Sequence, residues 1–389
     1  MRILFYADGR SPITQNWLSH WLERGDEVHL VSSYPCNSLP GLASLQVVPV
    51  AFSSTRLSNG TAIRKKGWLW GAGSLQLRHF LRQMLGPLTI PGAGRSLASA
   101  VRRIQPDLVH AMRIPYEGMT AAAANLEIPL LVSVWGNDFT LHARSSPWMG
   151  YWTRRAMQAA QALHTDCQRD QRMAQQWGFQ KDRQTLVTPG NGGIDPSIFH
   201  QPSEPVLQPV VINPRGFRSY VRNDTFFKSI PIALKQIPQA RFLCASMAGE
   251  PVVERWIARL GIAHAVQLLP ACSHNQMGDI FRSAAVLVSP SIHDGTPNSL
   301  LEGMACGCFP VAGRLESLQE WITHGQNGFL VDPDDAQSLA DAILAGLTDP
   351  GLRARAAAAN ALIISERAVY DSCMSRVEVL YQEMIDKRS

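Results

Sequence analysis

Two doubly wound α/β domains are the fold class this sequence predicts, and three observations predict it. Short apolar segments alternate with mixed polar-apolar segments along nearly the whole chain, which is the order of parallel sheets. Between the two alternating series lies IDPSIFHQPSEPVLQP (194 to 209), rich in Pro and short on periodicity, which reads as the domain linker. The 389 residues are too many for one ordinary core and comfortable for two.

The elements follow in order. RILFYA (2 to 7) reads as a short buried strand, 15 to 24 as a helix that Gly25 stops, and EVHLVSS as the next strand. LVHAM (108 to 112) is a strand, 116 to 125 a helix and PLLVSVW (129 to 135) a strand. Residues 151 to 163 read as helical, and TLVTPGNGGI (185 to 194) closes the half. The second series opens with the strand PVVINPRG (209 to 216) and helix 224 to 236. ARFLCAS, AVQLLP, AVLVSPS, CFPVAG and GFLV are its later strands, separated by helices at 250 to 260, 275 to 284, 298 to 306 and 315 to 323. Helix 335 to 347 and two long helices finish the chain. The expected domains are 1–193 and 194–369, with a final helix of about 370–389 returning to the first. Ligands of such sheets bind beyond the carboxyl ends of the strands, so two facing domains predict a cleft between those ends.

Composition narrows the function classes. Apolar content of 46% and charged content of 17% describe a folded globular protein. The seven cysteines are odd in number and scattered, with no Cys-x-x-Cys pair, which suits a reducing cytosol. Cys306-Gly-Cys308 reads as small residues in a turn. The start, MRILFYAD, lacks a signal-peptide layout, and no run of eighteen apolar residues predicts a spanning helix. From Val28 to Pro106 there is no acid but there are nine cations, including Arg64, Lys65, Lys66, Arg78 and Arg82. The whole chain carries a formal +5, so the remainder is net negative and the asymmetry points to an anionic partner of the first half. IRKKGWLWGAG and LQLRHFLRQML interleave cations with Trp68, Trp70, Leu77, Phe80, Leu81 and Leu85. That pattern favours an anionic membrane surface; no nucleic-acid-binding motif accompanies it.

The chemistry concentrates in HDGTPNSLLEGMACG (293 to 307). The strand before it ends at Ser291. Thr296 is the expected N-cap and Pro297 the first helical residue. The amides of Asn298, Ser299 and Leu300 then lack helical partners and sit at the positive end of a helix dipole, an anion site suited to phosphate. Glu302, a turn further on, can accept hydrogen bonds from a ribose diol. Asp294, on the loop before the helix, can accept them from sugar hydroxyls.

This stretch resembles the donor-site signature of the retaining glycosyltransferases of family 4. Asp294 and Glu302 are separated by seven residues, as the family's two acids are, and the sequence continues GMACGCFPV. GRLESLQEWITHGQNGFLVDPDD, VTPGNGGIDPSIF, PDLVHAM and ADGRSPITQNWLSHWLERGDEVHLVSS resemble further family segments, so the likeness covers nearly the whole chain. It implies the GT-B fold, two facing Rossmann-like domains. It also implies a nucleotide-diphosphate sugar on the second domain. Asp294 would hold donor-sugar hydroxyls, Glu302 the ribose, and the backbone of Asn298, Ser299 and Leu300, with Gly295 before them, the diphosphate. The family's first acid is usually Glu; here it is Asp.

The family's phosphate-clamping Arg and Lys map to NPRGFRSYVRNDTFFK (213 to 228). Arg215 takes the Arg position. The usual Lys-Gly is missing, and Arg218, Arg222 and Lys228 are the candidates for the second cation. Where the family often has an acceptor-facing His, this chain has SVWGNDF, with Trp135 and Asp138. Trp135 either stacks on a sugar ring or is a core aromatic. Asp138 is expected to touch acceptor or sugar, and with Asp294 and Arg215 it completes the expected catalytic set. His110, and Gly9, Arg10 and Ser11 at the first strand-to-helix turn, are further acceptor-side candidates.

What the resemblance implies is retaining hexosyl transfer, with UDP- or GDP-sugar as donor and a hydroxyl of a glycan or lipid-linked acceptor as recipient, in cell-surface polysaccharide or glycolipid synthesis. The donor phosphate serves as base, and no cofactor is required. No Asp-x-Asp follows a strand and no zinc-type ligand spacing occurs, so metal-independent turnover is expected. The expected place is the cytoplasm, peripherally on the membrane's cytoplasmic face. A nucleotide-sugar epimerase or hydrolase of the same fold, and a non-catalytic glycan- or lipid-binding protein, are the competing readings.

Overall fold

The computed structural model describes residues 1–53 and 84–387. Six of the nine cations of the acid-free stretch, Arg56, Arg64, Lys65, Lys66, Arg78 and Arg82, lie outside the described residues, as do Trp68, Trp70, Leu77, Phe80 and Leu81. The chain forms two compact units, Met1–Val187 with Ser375–Ser389, and Thr188–Met374. The division thus falls a few residues from the 193/194 and 369/370 boundaries read from the sequence.

In the first unit the strands are β1 (Arg2–Ala7), β2 (Glu27–Ser32), β3 (Ser44–Val47), β4 (Leu108–Ala111), β5 (Leu130–Val134), β6 (Ala162–Thr165) and β7 (Gln184–Val187). They form one parallel sheet in the order β3-β2-β1-β4-β5-β6-β7, with Phe5 paired to Leu30 on one side and to His110 on the other. The order reverses between β1 and β4, the switch point at which such sheets bind ligands. β1, β4 and β5 are almost wholly buried, as strands covered on both faces are, and this explains their continuous apolar runs.

Several elements depart from the sequence reading. The first helix is Pro12–Glu23, starting three residues early because Pro12 suits its first turn. The helix expected over 116 to 125 is a wide turn over Ile114–Gly118 followed by Met119–Ala124. Residues 151 to 163 divide into the end of the helix Pro147–Ala159 and the strand β6. No Gly or Pro separates these two, so nothing local marks the change of period. The final helix, Tyr370–Asp386, contributes to this unit's core. There Tyr381 stacks on Trp21 at 4.4 Å and Glu378 bonds His20 at 2.9 Å.

The second unit contains β8 (Val210–Asn213), β9 (Arg241–Cys244), β10 (Val266–Leu268), β11 (Val286–Ser289), β12 (Phe309–Gly313) and β13 (Phe329–Val331). Its parallel sheet runs β10-β9-β8-β11-β12-β13, and its switch point lies between β8 and β11. Helices at Asn223–Gln236 and Ala336–Thr348 cover one face, where Phe226, Phe227, Phe242, Phe309 and Ile343 form the core. Asn298–Ala305 and Pro350–Arg367 help cover the other face, around Phe281, Leu287, Leu300 and Met304. The Pro-rich segment 194 to 209 has no regular element and belongs to this unit. It begins with Ile194, whose amide donates to Ala368 O at 2.7 Å and whose carbonyl accepts from Tyr370 N at 3.0 Å. Gly193 precedes it at φ 123°, and a Cβ there would stand 2.7 Å from Tyr370 Cα, so glycine is required. Among the described residues no helix is long and apolar enough to cross a membrane.

Candidate functional site

The carboxyl ends of β8 and β11 carry the chemistry of the second unit. After β8, Asn213 Oδ1 accepts from the amide of Arg215 at 3.1 Å, and its Nδ2 donates to buried Asn223 at 3.0 Å. This pins the turn from which Arg215 extends. The chain from Arg218 to Arg222 runs beside the segment after β11. Val221 and Ser291 form a bridge, Ile292 N donates to Tyr220 O at 2.9 Å, and Arg222 N donates to Pro290 O at 2.9 Å.

The helix after β11 spans Asn298–Ala305, and its cap is Pro297. Thr296, expected as the cap, instead accepts a hydrogen bond from Trp321 Nε1 at 2.9 Å, a tertiary contact that competes with local capping. The main-chain amides of Asn298 and Ser299 have no acceptor among the described residues. The amide of Leu300 does have one: it closes a tight first turn on Pro297 O at 2.9 Å, which corrects the expectation of three free amides. The helix is pressed onto β11 at Gly303, where a Cβ would come within 2.2 Å of Leu287 Cδ1. Its tip therefore holds a fixed position at the end of the sheet.

Arg215 gathers this tip. Its Nη2 donates to Asp294 Oδ2 at 2.5 Å and its Nη1 to Ser299 Oγ at 3.4 Å. Ser317 Oγ holds the carbonyl of Asp294 at 2.8 Å. Both members of the ion pair are mostly buried, yet Arg215 Nε has no partner. Nor do Asn298 Oδ1, Ser289 Oγ and Ser291 Oγ, all buried. Buried polar atoms are almost always satisfied, so unpartnered ones on the β11–helix connection and the arginine facing it suit a polar ligand. Glu302 is buried as well. Burial pushes its carboxyl up to about 7, and the charge of Arg215 pulls the other way. Gly295 is buried between the two acids.

The other cations are placed differently. Arg222 spans Asp224 with two bonds, at 2.9 and 3.0 Å, and also pairs with Asp334. Lys228 is exposed and bonds Asp224 at 3.2 Å. Arg218 rests on the carbonyl of Arg215 at 3.0 Å and on Tyr220 OH at 2.8 Å, with its side chain in solvent.

In the first unit the structure does not gather the expected acceptor residues into one exposed site. Asp138 is fully buried, and its carboxylate is saturated. Oδ1 accepts from Arg113 Nε at 2.9 Å, and Oδ2 accepts from the amides of Trp135 at 3.1 Å and Ile114 at 3.3 Å. This set locks two strand ends together, in place of the expected sugar contact. His110 is equally buried, between Tyr381 OH at 2.6 Å and Ser133 Oγ at 2.7 Å, and burial beside His164 depresses its basicity. It is a core histidine. Trp135 is half-buried: its ring meets His164 edge-on at 5.7 Å and Nε1 donates to Met112 O at 2.5 Å. Gly9 N donates to Ser32 Oγ at 3.1 Å, and Ser11 stands before the first helix, its amide on Asp8 O at 3.0 Å. Arg10 is exposed, paired with Asp8 at 2.8 Å and lying 3.7 Å over the ring of Tyr34.

The sequence reading passed over Glu117. It is buried beyond the switch point of this sheet, accepts from Ser33 Oγ at 2.5 Å, and burial pushes it up to about 7. Its neighbour Tyr116 holds φ 72°, a strained conformation for an aromatic residue. The available signal was a lone acid in the apolar run from Ile114 to Ala124. Among the described residues one group, Asp166, Cys167 and Asp170, brings three ligand-type atoms within 4.8 Å, but Arg169 pairs with Asp170 at 2.8 Å and so supplies a cation there.

Comparisons with known proteins follow this geometry. The family described as "Glycosyl transferase 4-like domain" matches residues 9–190, and "Glycosyl transferases group 1" matches residues 211–349. A D-inositol 3-phosphate glycosyltransferase of Streptomyces avermitilis is 30% identical over 142 residues, 34% of this chain and 31% of that protein. One of Acidothermus cellulolyticus is 34% identical over 134 residues, 34% of this chain and 29% of that protein. The chain thus spans about a third of the length of these curated relatives. Among solved structures, sucrose-phosphate synthase of Thermosynechococcus elongatus superposes with a TM-score of 0.76 at 15% identity, covering 100% of both chains. Anabaena Alr3699/HepE in complex with UDP-glucose gives a TM-score of 0.72 at 17% identity, covering 98% of this chain and 100% of that one. At such identities these likenesses speak to the fold. The family matches run through both units, the fold is the two-domain GT-B fold, and the chain belongs to the family-4 type of glycosyltransferases.

Proposed function

We propose that this protein transfers a hexosyl group, with retention, from a nucleotide-diphosphate sugar to a hydroxyl of a glycan or lipid-linked acceptor. One observation carries the reading: Arg215 bonds both Asp294 and Ser299 at a helix tip whose first two amides are unpaired. The free amides of Asn298 and Ser299, the helix dipole and Arg215 form a preorganised positive site for a diphosphate. Glu302, four residues into the helix, accepts from the ribose diol. Asp294 accepts from donor-sugar hydroxyls, and Arg218, hung on the carbonyl of Arg215, is the second cation.

The bond from the anomeric carbon to the diphosphate breaks as the acceptor oxygen bonds the same face of that carbon. A donor phosphate oxygen takes the acceptor proton. Charge growing on the leaving diphosphate meets donors already in place, which lowers the barrier without reorganisation. Such chemistry asks no metal of the protein. Among the solved neighbours, HepE is in complex with UDP and glucose, and the pneumococcal O-GlcNAc transferase GtfA with UDP and GlcNAc, which favours a UDP-sugar. The first unit carries the acceptor, with Arg10 and Trp135 as its reachable polar and aromatic contacts. The cationic, acid-free run 28 to 106 favours an acceptor presented by an anionic membrane, on its cytoplasmic face, in polysaccharide or glycolipid synthesis.

Thermal unfolding with UDP, GDP and ADP tests the donor site. One of the three is expected to raise the midpoint at millimolar concentration, and the R215A variant to lose that rise. No shift with any of the three would overturn the reading. Free nucleotide released from a UDP-sugar at equal rates with and without acceptor would favour a hydrolase or an epimerase instead.

A further inference from the structure

Two neighbouring elements of the first unit expose large apolar side chains. Leu85 and Leu88 are 43% and 65% exposed, and Trp148 and Tyr151 are 53% and 51% exposed. The turn Gly86–Thr89 packs against the helix Pro147–Ala159, so these residues lie on neighbouring elements. Single exposed apolar residues are ordinary, whereas grouped ones mark interaction sites.

The helix explains its own part. Ser146 Oγ accepts from Met149 N at 3.2 Å and fixes the helix start. Met149, Thr153, Ala156 and Met157 face the core. Trp148 and Tyr151, three residues apart, therefore share an outward face. Leu85 and Leu88 have the same spacing around the tight turn.

Charge identifies the partner. A second acid-free run, 139 to 165, contains this helix and holds Arg144, Arg154 and Arg155. Arg144 precedes the helix and Arg95 follows the turn by six residues, and both are exposed. Both elements of the patch thus come from runs with cations and no acid. Trp and Tyr are the side chains that settle at the boundary of lipid and water, and cations beside them attract anionic headgroups.

We propose that the face formed by Leu85, Leu88, Trp148 and Tyr151, flanked by Arg95 and Arg144, docks on an anionic lipid surface. The inference rests on the proposed reading of a membrane-borne acceptor and gives that reading a location among the described residues.

Cosedimentation of the full chain tests it, using vesicles of phosphatidylcholine alone and of phosphatidylcholine mixed with phosphatidylglycerol. Affinity for the mixed vesicles is expected to exceed that for the neutral ones by about tenfold or more and to fall with added salt. The W148S/Y151S variant is expected to lose about tenfold or more of that affinity. The L207S variant, altered at a side chain 86% exposed in the second unit, is expected to bind vesicles as the parent does. Nucleotide-induced thermal shifts measured on the same samples report folding and the donor site separately from lipid binding. Equal affinity of W148S/Y151S and parent for mixed vesicles overturns the proposal, as does absence of binding by the parent. Self-association of the parent that W148S/Y151S abolishes, without a lipid effect, overturns it in favour of a second copy.

Discussion

Arg215 donates to Asp294 across 2.5 Å, joining a residue that follows β8 to one that follows β11 on either side of the switch point in the second sheet. The pair is mostly buried, and its arginine also reaches Ser299 at the helix tip. A guanidinium with a free Nε, facing two unpaired amides, resembles a site built for an anion more than a finished structural bridge. The buried desolvated charges are costly by themselves, and a diphosphate would supply the missing acceptor.

Replacing Arg215 by Ala is expected to lower kcat/KM by about 10²- to 10³-fold, as removal of one preorganised donor to a developing charge does. Lys at this position restores part of the loss, since it keeps the charge but not the fork that spans Asp294 and Ser299. Steady-state kinetics with the donor that gives a thermal shift provide the measurement. An R215A enzyme within about threefold of the parent would remove Arg215 from the mechanism.

Glu302 makes a pH prediction. Its folded-state value, about 7, lies above the ordinary 4.5. Its stability contribution is therefore fully present below the unfolded value and is lost as pH rises through about 7. The loss is on the order of 3 kcal/mol by about pH 8. E302Q carries no such term, so its stability is expected to gain on the parent between about pH 5 and pH 8, read from urea unfolding at each pH. Glu117 shares the same raised value and titrates in both proteins, so the difference between parent and variant isolates Glu302. Nucleotide affinity should move the other way. The ionised carboxylate accepts from the ribose diol, so E302Q is expected to bind nucleotide about tenfold more weakly at about pH 8 and to lose less at about pH 6. A variant whose stability tracks the parent across this range would show that Glu302 is not buried as described.

Much of this was legible in the sequence because it is local. Periodicity and Pro or Gly punctuation located β1, β8, β11 and β12, and the seven-residue spacing of Asp294 and Glu302 located the helix tip between them. What escaped depends on distant partners. Thr296 loses its capping role to Trp321, 25 residues on, and Leu300 closes its amide on Pro297. β6 escaped because ALHT follows a helix with no breaker between them. A strand-end acid looks the same in sequence whether it faces solvent or a buried arginine. The difference between Asp138 and Asp294 is one of burial and saturation, which only the packed structure supplies.

Asp138 turns that difference into an experiment. Its Oδ2 accepts two main-chain amides while Oδ1 accepts Arg113 Nε. An asparagine offers one acceptor oxygen, so in either orientation D138N leaves an amide group facing donors. The cost is about 2–4 kcal/mol, because unsatisfied buried donors lose solvation and Arg113 loses its counter-charge. For a chain of this size that lowers the unfolding midpoint by roughly 5–10 °C. Since Asp138 is buried and its oxygens are occupied within the first unit, kcat of the folded enzyme well below the midpoint is expected to change by less than about fivefold. Calorimetry beside kinetics at low temperature separates the two roles. A D138N protein that unfolds with the parent yet loses about 100-fold in kcat would return Asp138 to the catalytic set and place its carboxylate within reach of substrate.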